Sequence, residues 1–358
     1  MRTICVLNAG SSTLKYAVYD TVPALHRIRA GNIESITDHG VALASVPVPD
    51  DVAAFGHRVV HGGPDLAQPV ILDAPTLERI EALSPLAPLH NPPALAVIRA
   101  MAVRFPGVPQ VACFDTAFHR GHPAVADRFA IPDSLYQEGV RRYGFHGLSY
   151  EHVARALETL APAVAKGRVI AAHLGSGASM CGLVGGRSVD SSMGFTALDG
   201  LPMGTRSGSL DAGVILWLQQ HKGWSVEEVE HFLYQDCGMK GLSGVSNDMR
   251  TLLASEVPLA KLAVDYFVYH VARTAGALAA STGGIDAMVF TAGIGERSPE
   301  IRARVLRRLA WLGFEVDDAA NIAGGPLLTT AASRLPAYAI VTDEAGVIAR
   351  HTISLLER

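Results

Sequence analysis

The sequence contains two similar segments, about half a chain apart, that each combine a strand, a glycine- and serine-rich turn and a return strand. They occupy residues 4–19 and 169–190, and a polar residue, Asn8 or His173, precedes each turn. Apolar runs bounded by such turns are typical of β-hairpins. The recurrence predicts a duplicated domain and therefore a molecule with two related halves.

Length and composition agree with two globular domains. The chain has 358 residues, of which 49% are apolar and 18% charged, so each half has enough apolar material for a core. The formal net charge of -4 gives no basic surface for nucleic acid or an anionic membrane. The N-terminal residues lack the pattern of a secretion signal, and no apolar run reaches spanning length, so we expect a cytoplasmic protein.

Helical and strand patterns alternate along the chain, which favours a mixed α/β fold. Helices are predicted at about 92–104, 150–160, 212–220, 225–234, 259–280 and 298–311, and further strands near Val59, Val111, 287–290 and Ala339. No linker or low-complexity stretch separates the halves, and we place the domain boundary near residue 118.

Three glycine-rich turns are candidates for binding phosphate. The first two join the hairpin strands at 8–12 and 175–179, and the third is predicted at 293–295, just before a helix. Backbone N–H groups exposed in such turns bind anions. A single turn of this kind is usually structural, but three together suit a polyphosphate ligand.

Arg58 is a candidate ligand for a small carboxylate. In the run GHRVVHGG, strand alternation places Arg58 and Val60 on one face. A guanidinium group offers two parallel donors to a carboxylate, and an apolar neighbour suits a short hydrocarbon tail. The alternative is an arginine in a surface ion pair.

Two histidines and a second arginine lie in unusual loops. His90 lies in the rigid turn PLHNPP before a helix, where a capping or packing role is the alternative. His146 lies in RRYGFHG, with arginines and aromatic residues nearby, and Arg206 lies in the glycine-rich run GLPMGTRSG. The last two loops favour a role in binding or catalysis.

Two carboxylates are predicted to emerge at strand ends, where α/β proteins collect their ligands. Asp115 follows the strand near Val111, and Glu344 follows the strand near Ala339. Carboxylate oxygens are suitable ligands for Mg²⁺, although a turn-forming role is the alternative for Asp115. The histidines and cysteines lack the compact spacing of a zinc site.

In their order along the chain, ten short motifs together resemble the acetate kinase family. They are NAGSSTLKY, GHRVVHGG, PLHNPP, CFDTAFH, RYGFHG, HLGSGAS, GLPMGTRSG, GLSGVSNDMR, FTAGIGERS and TDEA. The resemblance implies two RNase H-like domains of the sugar kinase, actin and chaperone ATPase superfamily with an active-site cleft between them. The implied domains are residues 1–118 with 346–358, and residues 119–345.

The resemblance also implies an activity and its residues. The expected reaction is transfer of a phosphoryl group from ATP to acetate, with Mg²⁺, or alternatively Mn²⁺, as the metal. The implied catalytic residues are Arg58, His90, Asp115, His146 and Arg206, and the metal ligands are Asn8, Asp115 and Glu344. The nucleotide would contact Asn8, Lys15, His173, Gly175, Ser176, Gly177, Asp248, Met249, Arg250, Gly293, Ile294 and Arg297. Arg58, Val60, Leu89, Phe145 and Ala197 would bind the carboxylic acid.

The chain departs from the family pattern in a few places. Ser176 and Arg297 replace asparagines, which leaves the phosphoryl donor open, and Ala197 replaces a common proline. A smaller side chain there would admit propionate, so a propionate kinase is the first alternative, and an ATP-gated binding module without transferase activity is the second. The chain is also shorter than a typical member, between about Asp20 and Asp51. The resemblance further implies a homodimer.

Overall fold

The computed structural model describes residues 3–10, 13–34, 36 and 39–357, and its strands form two mixed sheets. The first sheet has the order β3-β2-β1-β4-β6-β5 and contains β1 (Thr3–Ala9), β2 (Thr13–Asp20), β3 (His26–Glu34), β4 (Val52–Val59), β5 (Val70–Ile71) and β6 (Gln110–Phe114). The second has the order β11-β10-β7-β8-β9 and contains β7 (Arg168–Leu174), β8 (Ala178–Val184), β9 (Arg187–Ser191), β10 (Ala287–Thr291) and β11 (Ala337–Ala339).

The two sheets repeat one arrangement of strands. In the first, β1 and β2 form an antiparallel hairpin, β3 extends it, and β4 pairs in parallel on the other side of β1. In the second, β7, β8, β9 and β10 take the corresponding places with the same directions. The predicted α/β fold class is confirmed, and the shared topology supports the predicted duplication.

Helices cover both faces of each sheet. They are α1 (His39–Ala44), α2 (Ala74–Ala82), α3 (Asn91–Arg104), α4 (Ala124–Asp127), α5 (Asp133–Gln137), α6 (Gly147–Leu160), α7 (Pro162–Ala165), α8 (Ala212–Lys222), α9 (Val226–His231), α10 (Gly238–Ser243), α11 (Met249–Leu253), α12 (Pro258–Ser281), α13 (Ala292–Arg297), α14 (Pro299–Arg308), α15 (Asp318–Ala323) and α16 (Glu344–Leu356). None of these helices is both long and apolar enough to cross a bilayer.

Strand alternation explains the packing of the first sheet. Cys5 and Leu7 of β1 point towards α3, where they meet Val97. Ile4 and Val6 point to the other face and pack against α16, in a cluster that includes its residues 347–349. Because β1 is buried on both faces, its sequence is apolar almost throughout.

The second sheet is covered in the same way by α12 and α6. The α12 side chain of Phe267 shares a core with Ile170 of β7. On the opposite face, Leu157 of α6 packs with Val169 of the same strand. Alternate residues of β7 therefore serve two separate cores, and each sheet is the middle layer of a three-layer lobe.

The parallel strands bring polar residues to the groove between the lobes. Asn8 lies near the end of β1, Arg58 near the end of β4, and Asp115 directly after β6. His173 lies near the end of β7 in the second sheet. In α/β proteins ligands bind at such carboxyl ends, so the topology places these residues together.

Several predictions of local structure need correction. Residues 293–295 do not form a turn before a helix, because they lie within α13. The helix that follows ends at Arg308 and is succeeded by a 3-10 turn at Ala310–Leu312, and the helix after Ser225 continues as a π-helix at Phe232–Asp236. The region after Asp20, where no strand is predicted above, contains β3, a nine-residue strand. Ser11 and Ser12 of the first predicted turn lie outside the described residues.

Candidate active site

A cleft of about 840 Å³ separates the two sheets and collects most of the predicted site residues. Asn8, Lys15, Arg58 and His90 line it from the first sheet and its connections. His146, His173, Gly175, Ser176, Gly177, Arg206, Gly293 and Arg297 line it from the second, and Glu344 enters from the start of α16. Two residues of the first hairpin, the turn of the second, both arginines and three histidines therefore face one space.

Arg58 is engaged by a buried carboxylate. Its Nε donates to Oδ1 of Asp115 at 3.0 Å, and its Nη2 donates to Oδ2 of the same residue. Its Nη1 donates to Oδ1 of Asn8 at 3.2 Å, and Oε2 of Glu344 lies 3.9 Å from Nε. The surface ion pair considered as an alternative is wrong, since the Asp115 side chain is only 1% exposed.

The Arg58–Asp115 pair sets the charge of this part of the cleft. Burial acts to lower the pKa of Arg58, but the carboxylates of Asp115 and Glu344 raise it above its usual value. Burial raises the pKa of Asp115, and the guanidinium opposes that rise. Each charge of the pair therefore offsets the free-energy cost of burying the other. Either side chain would be costly to bury without its partner.

Three oxygen-bearing side chains surround Arg58, and they are the predicted metal ligands Asn8, Asp115 and Glu344. The described residues contain no cluster of three or more His, Cys, Asp and Glu side chains of the kind that encloses a metal. Mg²⁺ is commonly held by one or two carboxylates together with waters and phosphate oxygens. This donor set fits that mode of binding, in which the substrate completes the coordination.

His146 and His173 stack their rings at the centre of the cleft. The centroids are 4.0 Å apart and the planes differ by 13°. His146 Nδ1 lies 2.8 Å from the hydroxyl of Ser179, and His173 Nδ1 lies 2.8 Å from that of Ser149. Burial lowers the pKa of His146 well below its usual value, with His173 and Arg58 adding to the effect, and lowers the pKa of His173 to about 3.

Arg206 approaches the same point from the other side. Its Nη1 donates to the carbonyl of Ala197 at 2.6 Å, and within the described part of the chain it forms no ion pair. Burial lowers its pKa. A Cβ at Gly177 would lie 2.9 Å from Nη2 of Arg206 and 3.5 Å from Nε2 of His146. Nη2 of Arg206 and Nε2 of His146 therefore converge over Gly177, where a Cβ would crowd the guanidinium group.

A small apolar cavity opens beside His90. Its volume is only about 10 Å³, and its walls include the predicted residues Val60, Leu89, Phe145 and Ala197. The remaining lining residues are Leu86, Ala87, Pro88, His90 and Tyr234. No sequence motif indicates Tyr234, because this residue lies on the π-helix and far from the other motifs.

A second groove, of about 370 Å³, leads away from the cleft. It contains the predicted nucleotide residues Gly175, Ser176, Asp248, Met249, Arg250, Gly293, Ile294 and Arg297, and it adds Asn247, Leu253 and Ser298. Asp248 accepts a hydrogen bond from the backbone N–H of Arg250 at 2.8 Å and caps α11. Gly177 is the predicted turn residue that faces the central cleft rather than this groove.

Glu296 joins the two halves of the cleft, and sequence reasoning missed it. Its Oε1 accepts from the backbone N–H of Ala292 at 2.8 Å and from that of Thr342 at 2.9 Å. Ala292 begins α13, and Thr342 lies two residues before α16. The carboxylate therefore fixes the glycine-rich helix of the second sheet to the segment that carries Glu344. Its position inside the motif GIGER is the sequence feature that could have identified Glu296 as a site residue.

Because several histidines are buried, we expect the free energy of unfolding to fall steeply in mild acid. Burial lowers the pKa of His57, His61 and His90 to about 4 and that of His122 and His173 to about 3. The unfolded chain titrates near 6.5 and therefore binds more protons than the folded chain below that pH. Each such histidine removes about 1.4 kcal/mol of stability per pH unit as the pH falls through this window.

Urea unfolding between pH 7 and pH 5 measures this effect. We expect the free energy of unfolding to fall with pH, and His57→Gln to reduce the slope by about one proton equivalent. His57 is a suitable control because it is buried outside the cleft and bonds Gln110 at 2.6 Å. Equal unfolding midpoints at both pH values would contradict the expectation.

The fold and the cleft together define a two-lobed α/β phosphotransferase. The model of the acetokinase family matches residues 26–350, and the chain belongs to that family. An acetate kinase from Nitrobacter hamburgensis is 54% identical over 390 aligned positions, which cover 99% of this chain and 96% of the relative. The alignment is longer than the 358 residues of this chain, so part of the relative faces gaps here.

Two solved structures have the same fold. The acetate kinase of Porphyromonas gingivalis superimposes with a TM-score of 0.90 at 31% identity, covering 99% of this chain and all (100%) of the other. A propionate kinase from Francisella tularensis superimposes with a TM-score of 0.89 at 36% identity and the same coverage. The predicted family is therefore confirmed by sequence and by structure.

Proposed function

We propose that this protein transfers the γ-phosphoryl group of ATP directly and reversibly to the carboxylate of acetate, giving acetyl phosphate and ADP. The observation that carries the proposal is the convergence of Arg58, His90, His146 and Arg206 on one cleft beside a small apolar cavity. Burial lowers the pKa of His90, and both arginines add to this effect, so its ring lies near both guanidinium groups.

Catalysis would depend on positioning and charge rather than on a base. A short carboxylic acid has a pKa near that of glutamate, about 4.3, so it is already ionised at neutral pH. The main barrier is repulsion between two anions, which guanidinium and imidazole donors reduce in the transition state. Arg58 and Arg206 would bind the carboxylate and the phosphoryl group, and His146, assisted by His90, would donate to the phosphoryl oxygens.

Asp115 is better placed to organise a metal than to act as a base. Asn8, Asp115 and Glu344 would hold Mg²⁺, and Mn²⁺ suits the same oxygens. A bound divalent ion neutralises charge on the phosphates. Asp115 already accepts two hydrogen bonds from Arg58, so metal binding and the orientation of Arg58 would be linked.

The nucleotide would extend from the cleft into the second groove. Lys15, His173, Gly175, Ser176 and Gly177 line the cleft on the phosphate side. Asp248, Met249, Arg250, Gly293, Ile294 and Arg297 line the groove that would receive the nucleoside. Ser176 and Arg297 stand where the family commonly has asparagine, so this chain would differ from its relatives in its preference among nucleoside triphosphates.

Trapping the acyl phosphate with hydroxylamine tests the proposed reaction. With acetate, ATP and Mg²⁺ we expect a hydroxamate product in amounts equal to the ADP released. An ATP-gated binding module would bind ATP and yield no hydroxamate, and that result would overturn the proposal.

Propionate is the second candidate substrate, because Ala197 lines the acyl cavity with a smaller side chain than the proline common in acetate kinases. We expect wild-type protein to accept acetate and propionate, and Ala197→Val to lower kcat/KM for propionate relative to acetate by about tenfold, since one methylene is worth that much in a tight pocket. A steady-state panel of acetate, propionate and butyrate measures this. Ala102→Val, at an exposed site on α3, is the control, and an unchanged ratio in the Ala197 variant would refute the assignment.

A homodimer is proposed for the whole protein. Leu259, Leu262, Tyr266 and Tyr269 recur at helical spacing along α12, and each is 39–51% exposed. An apolar stripe of this kind is typical of an interface. Light scattering that gives the 37.8 kDa mass of one chain would contradict the dimer.

The domain bounds and the cellular location remain our proposals. The two sheets support domains of residues 1–118 with 346–358 and of residues 119–345, because α16 packs on β1 and β4 of the first sheet. A cytoplasmic location is proposed from the chemistry, since ATP is the expected co-substrate.

A further inference from the structure

The acyl cavity beside His90 has little room, although Ala197 stands where a larger proline is common. Its volume is only about 10 Å³, which is about the space of one water-sized group. A wall other than Ala197 therefore limits the cavity. Tyr234 is the lining residue that no sequence motif indicates.

Most of the other walls are held by the protein core. Val60, Ala87 and Phe145 are at most 5% exposed and belong to the core that lies against α12. Ala197 packs against the same core. A larger or smaller side chain at these positions would alter the packing of that core. Tyr234 is half-buried, so a change of its side chain alters the cavity at less cost to the fold.

The π-helix at Phe232–Asp236 presents Tyr234 to the cavity. Its neighbours Phe232 and Leu233 pack instead in a cluster with Leu218 of α8 and Val229 of α9. A π turn contains one residue more than an α turn, and such turns are frequent at functional sites. Consecutive residues of this turn therefore serve two different places, a small core and the acyl cavity.

Hydrogen bonds fix the same turn to the loop that carries Arg206. The hydroxyl of Thr205 donates to the carbonyl of Tyr234 at 2.7 Å, and the backbone N–H of Ser207 donates to the carbonyl of Leu233 at 3.3 Å. These contacts use backbone atoms of the π-helix, so they remain when the side chain at position 234 is changed. A substitution there therefore tests the side chain alone.

The Tyr234 side chain also lies near the guanidinium group of Arg206. Burial lowers the pKa of Arg206, and Tyr234 opposes that fall. The same guanidinium donates to the carbonyl of Ala197, the opposite member of the cavity wall. The side chain of Tyr234 is therefore close both to the cavity and to a donor of the reaction centre.

We propose that Tyr234 is a specificity-determining residue whose side chain forms the wall that limits the length of the acyl chain. This role rests on the proposed function, because it assigns the cavity to the hydrocarbon tail of the carboxylic acid. Ala197 and Tyr234 then act in opposite directions. The alanine admits an ethyl group, and the tyrosine excludes a longer chain.

A panel of acetate, propionate and butyrate with Tyr234→Ala tests this wall. We expect the ratio of kcat/KM for butyrate to that for acetate to rise at least about tenfold above the wild-type ratio, because each methylene in a tight pocket is worth about that factor. Tyr234→Phe keeps the aromatic ring and is expected to keep the wild-type ratio. An unchanged ratio in Tyr234→Ala, or an equal rise in Tyr234→Phe, would overturn the proposal.

Two further variants guard against indirect effects. Tyr234→Leu leaves a smaller gap than alanine, so its ratio should rise less, and it replaces the alanine variant if that protein does not fold. Phe232→Ala removes an aromatic side chain from the same π-helix outside the cavity and is expected to keep the ratio. If Phe232→Ala raises the ratio as much as Tyr234→Ala does, the position of the helix sets the chain length and the proposal fails.

Binding of the acids without nucleotide separates this wall from the proposed reaction. NMR titration with ¹³C-labelled acetate and butyrate measures the two affinities. We expect Tyr234→Ala to improve the affinity for butyrate relative to acetate by at least about tenfold. If the wild-type protein forms no acyl phosphate but this shift appears, the proposed function fails while the wall stands. If acyl phosphate forms and neither ratio moves, the wall alone fails.

Discussion

Arg206→Ala is expected to lower the rate of acyl phosphate formation by roughly 10³-fold while the melting temperature changes by no more than a few degrees. The rate falls because the guanidinium would neutralise charge that develops on the phosphoryl group. Stability is retained because the side chain has no carboxylate partner within the described residues and its burial already lowers its pKa. Removing it leaves no buried charge behind.

The contrasting control is Arg120→Ala. Arg120 is a buried arginine of the same lobe whose Nη1 donates to Oδ1 of Asp127 at 3.2 Å and whose Nη2 donates to the carbonyls of Arg142 and Tyr143. Its loss is expected to lower the melting temperature clearly and to leave the kcat of folded protein unchanged. Near-normal turnover in Arg206→Ala would show that Arg206 has no catalytic role.

Arg58→Ala is expected to damage both activity and stability. The substitution removes the cation that compensates Asp115, and breaking a buried ion pair costs about 3–5 kcal/mol. The rate should fall by roughly 10³-fold, because Arg58 would also bind the carboxylate. Urea unfolding and the hydroxamate assay measure the two effects separately.

The double variant Arg58→Ala with Asp115→Asn separates the two roles of the pair. Replacing the carboxylate by an amide removes the uncompensated charge, so most of the lost stability should return. Activity should not return, since both the arginine and a metal ligand are gone. If Arg58→Ala alone unfolds at the wild-type urea concentration, the pair does not stabilise the fold as described.

The hairpins were predictable because their signals are local. Apolar runs on both sides of a Gly/Ser turn define β1–β2 and β7–β8, and the antiparallel registers follow. β3 was missed because all its positions are exposed or half-buried, so it has no alternation of buried residues. A strand of this kind is set by pairing with its neighbour β2 rather than by its own pattern.

The site was predictable as a set of residues but not as a set of contacts. Strand alternation predicts Arg58 beside Val60 on one face of the strand, but it does not indicate that Asp115 would occupy the two parallel donors of Arg58. The glycines of GIGER predict a turn, because glycine disfavours helices. In the structure the Glu296 carboxylate accepts the N–H of Ala292, which stabilises the helix start through a contact that propensity does not describe.

The position of α16 has a consequence for how the chain is made. Strands β1, β4 and β6 leave the ribosome early, but the helix that covers one face of their sheet is the last described element to emerge. Gly56 lets that helix approach closely, since a Cβ there would lie 2.5 Å from Cγ2 of Ile348. The lobe whose synthesis begins first is therefore completed last, after the other lobe has had time to fold.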